Sequence, residues 1–338
     1  MGTAVKADCT ISFIGLNTGL LTGAAPACTG ELHFADLDIT AELATEVAAR
    51  ARRISLKAMS SVFPVRFATD HKGDCGHVLV VGGSPGSSGA AAMAAAAACR
   101  AGAGLCSVAT QPETVAAITS AAPELMVHGL GRPELIKPLV ARTSVVVLGP
   151  GLGQSLWSQR AFASVTGSNV PIVLDADGLN ILADNHMQRS NWVLTPHPGE
   201  AARLLDVTTA QIQSDRLAAA EAIARQFGGV CVLKGAGTVV AQNRDSDFIG
   251  ADKPGCAVSI CDAGSAAMAS GGMGDVLAGV IGALVAQGMA LLPAAELGVA
   301  WHAAASDRLS GQGLAAGQLA SDLIEQLPHL RSAAGVSK

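Results

Sequence analysis

From Phe63 onward the chain alternates short, unbroken apolar runs with longer stretches of mixed polarity. The runs are His77-Val78-Leu79-Val80-Val81, Leu105 to Ala109, Ser144 to Leu148, Pro171 to Leu174, Trp192-Val193-Leu194 and Val230 to Leu233. A strand with one wet face alternates apolar and polar positions, whereas a strand covered on both faces stays apolar. These runs therefore predict a sheet buried on both sides. Segments of helical length separate most of them, so the expected fold is α/β, a mostly parallel doubly wound sheet with helices on both faces. Ala90 to Arg100 reads as an alanine-rich helix that can pack closely against the sheet or a second subunit. Val276 to Val285 reads as a second, apolar helix.

Residues 1 to about 53 follow a different pattern. Ala7 to Ile14 predicts a strand, Gly19 to Gly23 a turn, Glu31 to Leu37 a second strand, and Glu42 to Arg53 a helix or linker. Two strands cannot bury a core, so this segment is expected to dock on something else; a domain-swapped arm and a frayed extension are the alternatives. The expected division is 1–53 and 54–338.

Composition narrows the picture. Of 338 residues, 50% are hydrophobic, only 14% are charged and mean hydropathy is +0.41, which implies a large, heavily buried core. Gly, Pro or charge breaks every apolar run before the ~18 residues a membrane helix needs, so no membrane partner is expected. The formal charge is -5 with no basic stripe, which argues against nucleic acid. The eight cysteines show no C-x-x-C spacing and read as reduced thiols of a cytoplasmic protein.

The candidate chemistry collects after the strands. Gly264-Ser265-Ala266-Ala267-Met268-Ala269-Ser270-Gly271-Gly272-Met273-Gly274-Asp275 feeds the apolar helix. Glycines there let an anion approach the backbone, and the free amides of a first helical turn point at it, so the stretch reads as a phosphate seat. Asp275 is either a general base toward an attacking hydroxyl or a helix cap. Gly82 to Gly89 follows a strand and precedes a helix, as in a nucleotide-binding βα unit, although it fits neither the G-x-G-x-x-G nor the Walker spacing; its glycines could equally serve helix packing. Lys234-Gly235-Ala236-Gly237-Thr238 offers a cation, amides and a hydroxyl to a nucleotide's phosphates. Asp175 and Asp177 either hold a hard cation such as Mg²⁺ or stabilise a turn, and Glu200 is either a helix-start carboxylate or a magnesium-side ligand. His197, stiffened between Pro196 and Pro198, is either a contact residue, which the prolines favour, or a packed core histidine. Ligands of open α/β sheets bind at the carboxyl edge, so these loops are expected to share one crevice.

In order and style, His71-Lys72-Gly73-Asp74, the Gly-rich loop through Ala90, Gly149-Pro150-Gly151-Leu152-Gly153, Asp175 to Asn180, Thr195 to Glu200, Lys234 to Thr238 and Met268 to Asp275 resemble the ADP-dependent NAD(P)H-hydrate dehydratases of bacteria. The resemblance spans roughly residues 65 to 330 and implies a ribokinase-like fold. It also implies that ADP phosphorylates the ring hydroxyl of (S)-NADHX or NADPHX, after which phosphate is eliminated to return NADH or NADPH. On the family's pattern Ala90, Gly153, His197 and Asp275 meet the hydrate, with Asp275 as base, while Lys234, Gly235, Ala236, Gly237, Thr238 and Gly274 hold ADP. Mg²⁺ is the expected cofactor, with Asp175 and Glu200 as its candidate ligands, and a homo-oligomer, a tetramer among the arrangements, is expected. Ser265-Ala266-Ala267 departs from the Asn-Pro-Gly or Asn-Ala-Gly common in the family, and a local change is expected there. Residues 7–23 resemble the tail of an NAD(P)H-hydrate epimerase domain, with Asn17 where that family often has Lys; no epimerase activity is expected of this chain. The alternatives are a small-molecule hydroxyl kinase of the same superfamily and an inactive nucleotide-binding remnant.

Overall fold

The computed structural model describes residues 4–39, 49–243 and 258–333. The strands β1 (Cys9–Phe13) and β2 (Glu31–Ala35) pair in parallel as a small separate sheet. The main sheet is built from β3 (Arg52–Arg53), β4 (His77–Val81), β5 (Leu105–Thr110), β6 (Met126–Gly129), β7 (Val145–Leu148) and β8 (Ile172–Leu174). It is completed by β9 (Trp192–Leu194), β10 (Val230–Leu233), β11 (Thr238–Gln242) and β12 (Val258–Cys261). The spatial order is β3-β12-β11-β10-β9-β8-β7-β4-β5-β6. Every pairing is parallel except those of β11 with β10 and β12.

The helices that shape the site are α1 (Ser88–Arg100), α2 (Leu156–Thr166), α3 (Asp177–Asp184), α4 (Pro198–Leu204) and α5 (Thr209–Ser214). They continue with α6 (Arg216–Phe227), α7 (Met273–Ala286), α8 (Leu291–Gly311) and α9 (Ala320–Ala333). Successive side chains of a strand point to opposite faces, and here both faces are dry. Val78 and Val80 enter one core with residues of α1, α7 and α8; Leu79 and Val81 enter the other with Phe162, Leu179 and Phe227. This is why the strands are apolar without alternation. The alanine face of α1 is consumed inside the chain, where a Cβ on Gly279 of α7 would lie 2.0 Å from the Ala94 carbonyl oxygen. Two helices this close require small residues at the crossing.

Chain order runs outward from β4 to β6, then returns beside β4 and runs the other way from β7 to β10. The reversal between β4 and β7 is the switch point where such sheets open a crevice at their carboxyl edge.

The first segment docks, as its lack of a core requires. Leu21 is 4% exposed and joins the second core, and the Gly23 amide donates to the Ala236 carbonyl at 3.0 Å. Arg50 forks onto Glu221, Arg52 pairs with buried Glu296, and Arg53 pairs with Asp262. Arg52 and Arg53 are already strand β3 of the main sheet. The helix or linker expected from Glu42 falls mostly on residues 40–48, outside the described residues. Among the described residues the cysteines are all free, and no helix is long and apolar enough to cross a membrane.

Candidate active site

The loops after β4 and β7 meet at the switch point. A Cβ on Gly82 would sit 2.0 Å from the Pro150 carbonyl oxygen, so glycine is what lets the loops touch. The Gly83 and Ser84 amides then donate to Pro150 and Gly151 at 3.0 and 2.7 Å. Ala90 lies in the first turn of α1, within 3.1 Å of where a Gly151 Cβ would fall. The Gly153 amide donates to Asp177 Oδ2 at 2.7 Å, which also fixes the next loop. Asp177 is thereby used as a strut. Between it and Asp175, Ala176 holds φ 47° and ψ -119°, a conformation costly for a residue with a side chain and one that clusters at functional sites.

Beside this frame lies a cluster of three carboxylates and one ammonium. Lys234 Nζ donates to Asp175 Oδ1 at 2.6 Å and lies 3.8 Å from Glu200 Oε2. Asp175 and Glu200 are buried, at 1% and 6% exposure. Burial pulls the Lys234 pKa down, but Asp175, Glu200 and Asp275 outweigh it and hold the ammonium above its ordinary value. Burial pushes the Glu200 carboxyl up, against the pull of Lys234.

Over this cluster sits the start of α7. Gly272 precedes it at φ 91°, and a Cβ on Gly274 would fall 3.1 Å from Lys234 Nζ and 3.4 Å from Asp175 Oδ2. Asp275 follows in the same first turn. Burial above all, then the negative charge of Asp175, raises its pKa from 3.8 to about 7, while Lys234 pulls it back down. A carboxyl poised near neutrality can take a proton from a hydroxyl. Ser265 caps the turn before this helix, its Oγ accepting from the Ala267 amide at 3.3 Å, with the Ser306 hydroxyl 3.2 Å away.

His197 caps α4. Its Nδ1 accepts from the Gly199 and Glu200 amides at 3.0 and 3.4 Å, and Glu200 Oε2 accepts in return from the His197 amide at 2.7 Å. With Nδ1 accepting, the neutral ring carries its proton on Nε2, 3.5 Å from Glu200 Oε1, and the side chain is more than half exposed.

Asp175 and Glu200, the expected metal ligands, are drawn onto Lys234. Among the described residues no group of three or more His, Cys, Asp or Glu side chains is arranged to hold a metal. Asp175 Oδ2 has no hydrogen bond among the described residues and faces Gly274. One open carboxylate oxygen beside the start of α7 fits a Mg²⁺ that arrives with phosphates and keeps most of its water.

Asp275, Gly274, Lys234, Asp175 and Glu200 thus converge, His197 joins through Glu200, and Ala90 and Gly153 line the neighbouring loops. Gly235 to Thr238 extend from Lys234 toward the N-terminal segment. Sequence reasoning missed two residues here. Arg216 is 2% exposed beneath Lys234 to Gly237, and buried His302 on α8 has its pKa lowered to about 4 by burial and by the Lys234 charge. Neither carries a local signal, because both act across long sequence separations.

The doubly wound sheet and its switch-point loops have the ribokinase-like fold, shared with solved structures from Enterococcus faecalis and Bacillus subtilis. The chain belongs to the NAD(P)H-hydrate dehydratase family, whose model matches residues 78–329. It is 44% identical over 330 residues to the bifunctional NAD(P)H-hydrate repair enzyme Nnr of Coxiella burnetii, covering 98% of this chain and 65% of the relative. The chain therefore spans just under two-thirds of that relative's length. It is 38% identical to the ADP-dependent (S)-NAD(P)H-hydrate dehydratase of Neisseria meningitidis, over 80% of this chain and 90% of the relative. The crystal structure of the ADP/ATP-dependent NAD(P)H-hydrate dehydratase of Bacillus subtilis, co-crystallized with ATP/Mg²⁺, matches with TM-score 0.72 and 27% identity, over 85% of this chain and all of that one.

Proposed function

We propose that this chain repairs hydrated nicotinamide cofactor, using ADP to dehydrate (S)-NADHX or NADPHX. The observation that carries the reading is Asp275, a carboxyl raised to about 7 in the first turn of a helix that reads as an anion seat, beside Lys234. The diphosphate lies on the amides of Lys234 to Thr238 and the start of α7. The hydrate lies toward Ala90, Gly153 and the Nε2 edge of His197.

Asp275 removes the proton of the ring hydroxyl as its oxygen attacks the terminal phosphorus of ADP. The bond from that phosphorus to the bridging oxygen breaks, and AMP leaves. The amides at the start of α7 receive the charge spread over the transferring group. Phosphate is a far better leaving group than hydroxide, so elimination follows and restores the dihydronicotinamide. Asp175 Oδ2 and Glu200 would meet Mg²⁺, which neutralises phosphate charge when bound.

The same reading takes 54–338 as the dehydratase domain and 1–53 as the closing part of an epimerase-type domain plus linker. In support, the relative named bifunctional matches 98% of this chain, while the Neisseria dehydratase matches 80%. Phosphorus NMR of a reaction with purified hydrate tests the chemistry. AMP and phosphate appearing together, one of each per ADP consumed, is the expected result; a stable phosphorylated product would make the chain a hydroxyl kinase.

A further inference from the structure

The loop Lys234 to Thr238 is held from one side by residues that no motif marks. The Arg216 guanidinium donates through Nη2 to the carbonyls of Leu233 and Lys234, both at 3.1 Å, and of Gly237 at 3.4 Å, and through Nη1 to Gln213 Oε1 at 2.9 Å. The N-terminal segment holds a further carbonyl, Ala236, through the Gly23 amide. The fit is tight: a Cβ on Gly237 would lie 2.0 Å from the Leu21 carbonyl oxygen.

Peptide bonds here are trans, so a carbonyl turned one way turns the following amide the other way. With the Lys234 and Ala236 carbonyls facing Arg216 and Gly23, the amides of Gly235 and Gly237 face away from both. Those amides make no hydrogen bond among the described residues. Free backbone amides in a glycine-rich loop are donors that an anion can use.

Arg216 adds a charge. It is buried, burial lowers its pKa only to about 10, and among the described residues no carboxylate pairs with it. Its Nε has no partner among them. A buried cation facing only neutral acceptors is costly, and a polyanion arriving on the other side of the loop offsets that cost.

We propose that Arg216 and the segment Leu21–Gly23 form a clamp that orients the Lys234–Thr238 loop for a nucleoside diphosphate, making the N-terminal segment a working part of the nucleotide site. This rests on the reading that the loop holds ADP. Both parts of the clamp are positioning residues.

The test uses the full chain, measuring ADP affinity by calorimetry, KM for ADP and for the hydrate, and melting temperature without ligand. In Arg216→Met and in Leu21→Ala, Kd and KM for ADP rise about tenfold, the scale of one charge-assisted hydrogen bond, while KM for the hydrate moves less than about twofold. Arg216→Lys, which keeps the charge, recovers part of the loss. Leu21→Ala carries the test if Arg216→Met does not fold. Variants that melt lower but bind ADP as wild type does overturn the clamp alone. Wild type that binds no ADP overturns the loop assignment with it.

Discussion

Asp275→Asn removes the carboxyl that the structure holds furthest from its ordinary behaviour. With its pKa raised from 3.8 to about 7 in the folded chain, the group binds more proton folded than unfolded between those values. Stability therefore falls as pH rises through that window, by about 1.4 kcal/mol per pH step, and levels off above about 7. Asparagine cannot ionise and escapes this loss. Between pH 5 and pH 8 the variant should gain about 3 kcal/mol on wild type. At roughly 2.1 cal/mol/K per residue, 338 residues give an unfolding entropy of about 0.7 kcal/mol/K, so the gain is about 4 °C in Tm. Melting curves of both proteins across that range, in one ionic strength and without ligand, read it directly. His302 and the other titrating groups are common to both chains and cancel to first order. A difference in Tm that is flat with pH, or that shrinks toward pH 8, would refute the burial argument for Asp275.

Other outcomes follow from the same geometry. The kcat/KM profile should rise with pH through about 7 as Asp275 ionises, and in Lys234→Met its midpoint should move higher, because the ammonium pulls that pKa down. Lys234→Met should also lose about 3–5 kcal/mol in chemical denaturation, since it leaves Asp175 and Glu200 buried without their cation. Gly82→Ala forces a Cβ to within 2.0 Å of a backbone oxygen at the switch point, and should cost about 2 kcal/mol or more with a clear drop in kcat. His302, with its pKa lowered to about 4, costs stability as pH falls below about 6.5, the ordinary histidine value; urea melts of His302→Gln should show a flatter acid limb than wild type.

Much of the frame was legible because parallel strands covered on both faces carry unbroken apolar runs, as His77 to Val81 and Val230 to Leu233 do. The strands that sequence reasoning missed include Arg52–Arg53, expected as helix or linker and found as a two-residue edge strand. Met126–Gly129 is an edge strand with no buried residue, and Thr238–Gln242 is an antiparallel strand entered from a loop that looked like chemistry alone. Val258–Cys261 is short and buried but was not singled out as a run. The glycine-led start of α7 was legible because glycines before a helix have a local cause. The partnership of Lys234 with Asp175 was not, since 59 residues separate them and no local pattern predicts an ion pair. Lys234 was expected to face phosphates, and the structure has it pair with Asp175 beside Glu200, whose charges act on Asp275. Arg216 and Leu21 were invisible for the same reason, as each meets the loop only across a long sequence separation.

The most direct measurement follows the near-ultraviolet absorbance of reduced nicotinamide in purified NADH hydrates with Mg²⁺, adding ADP or ATP, for wild type and Asp275→Asn. The account predicts that wild type restores the NADH chromophore with ADP and that the folded variant does not. No recovery with either nucleotide, or equal recovery by the variant, would contradict it.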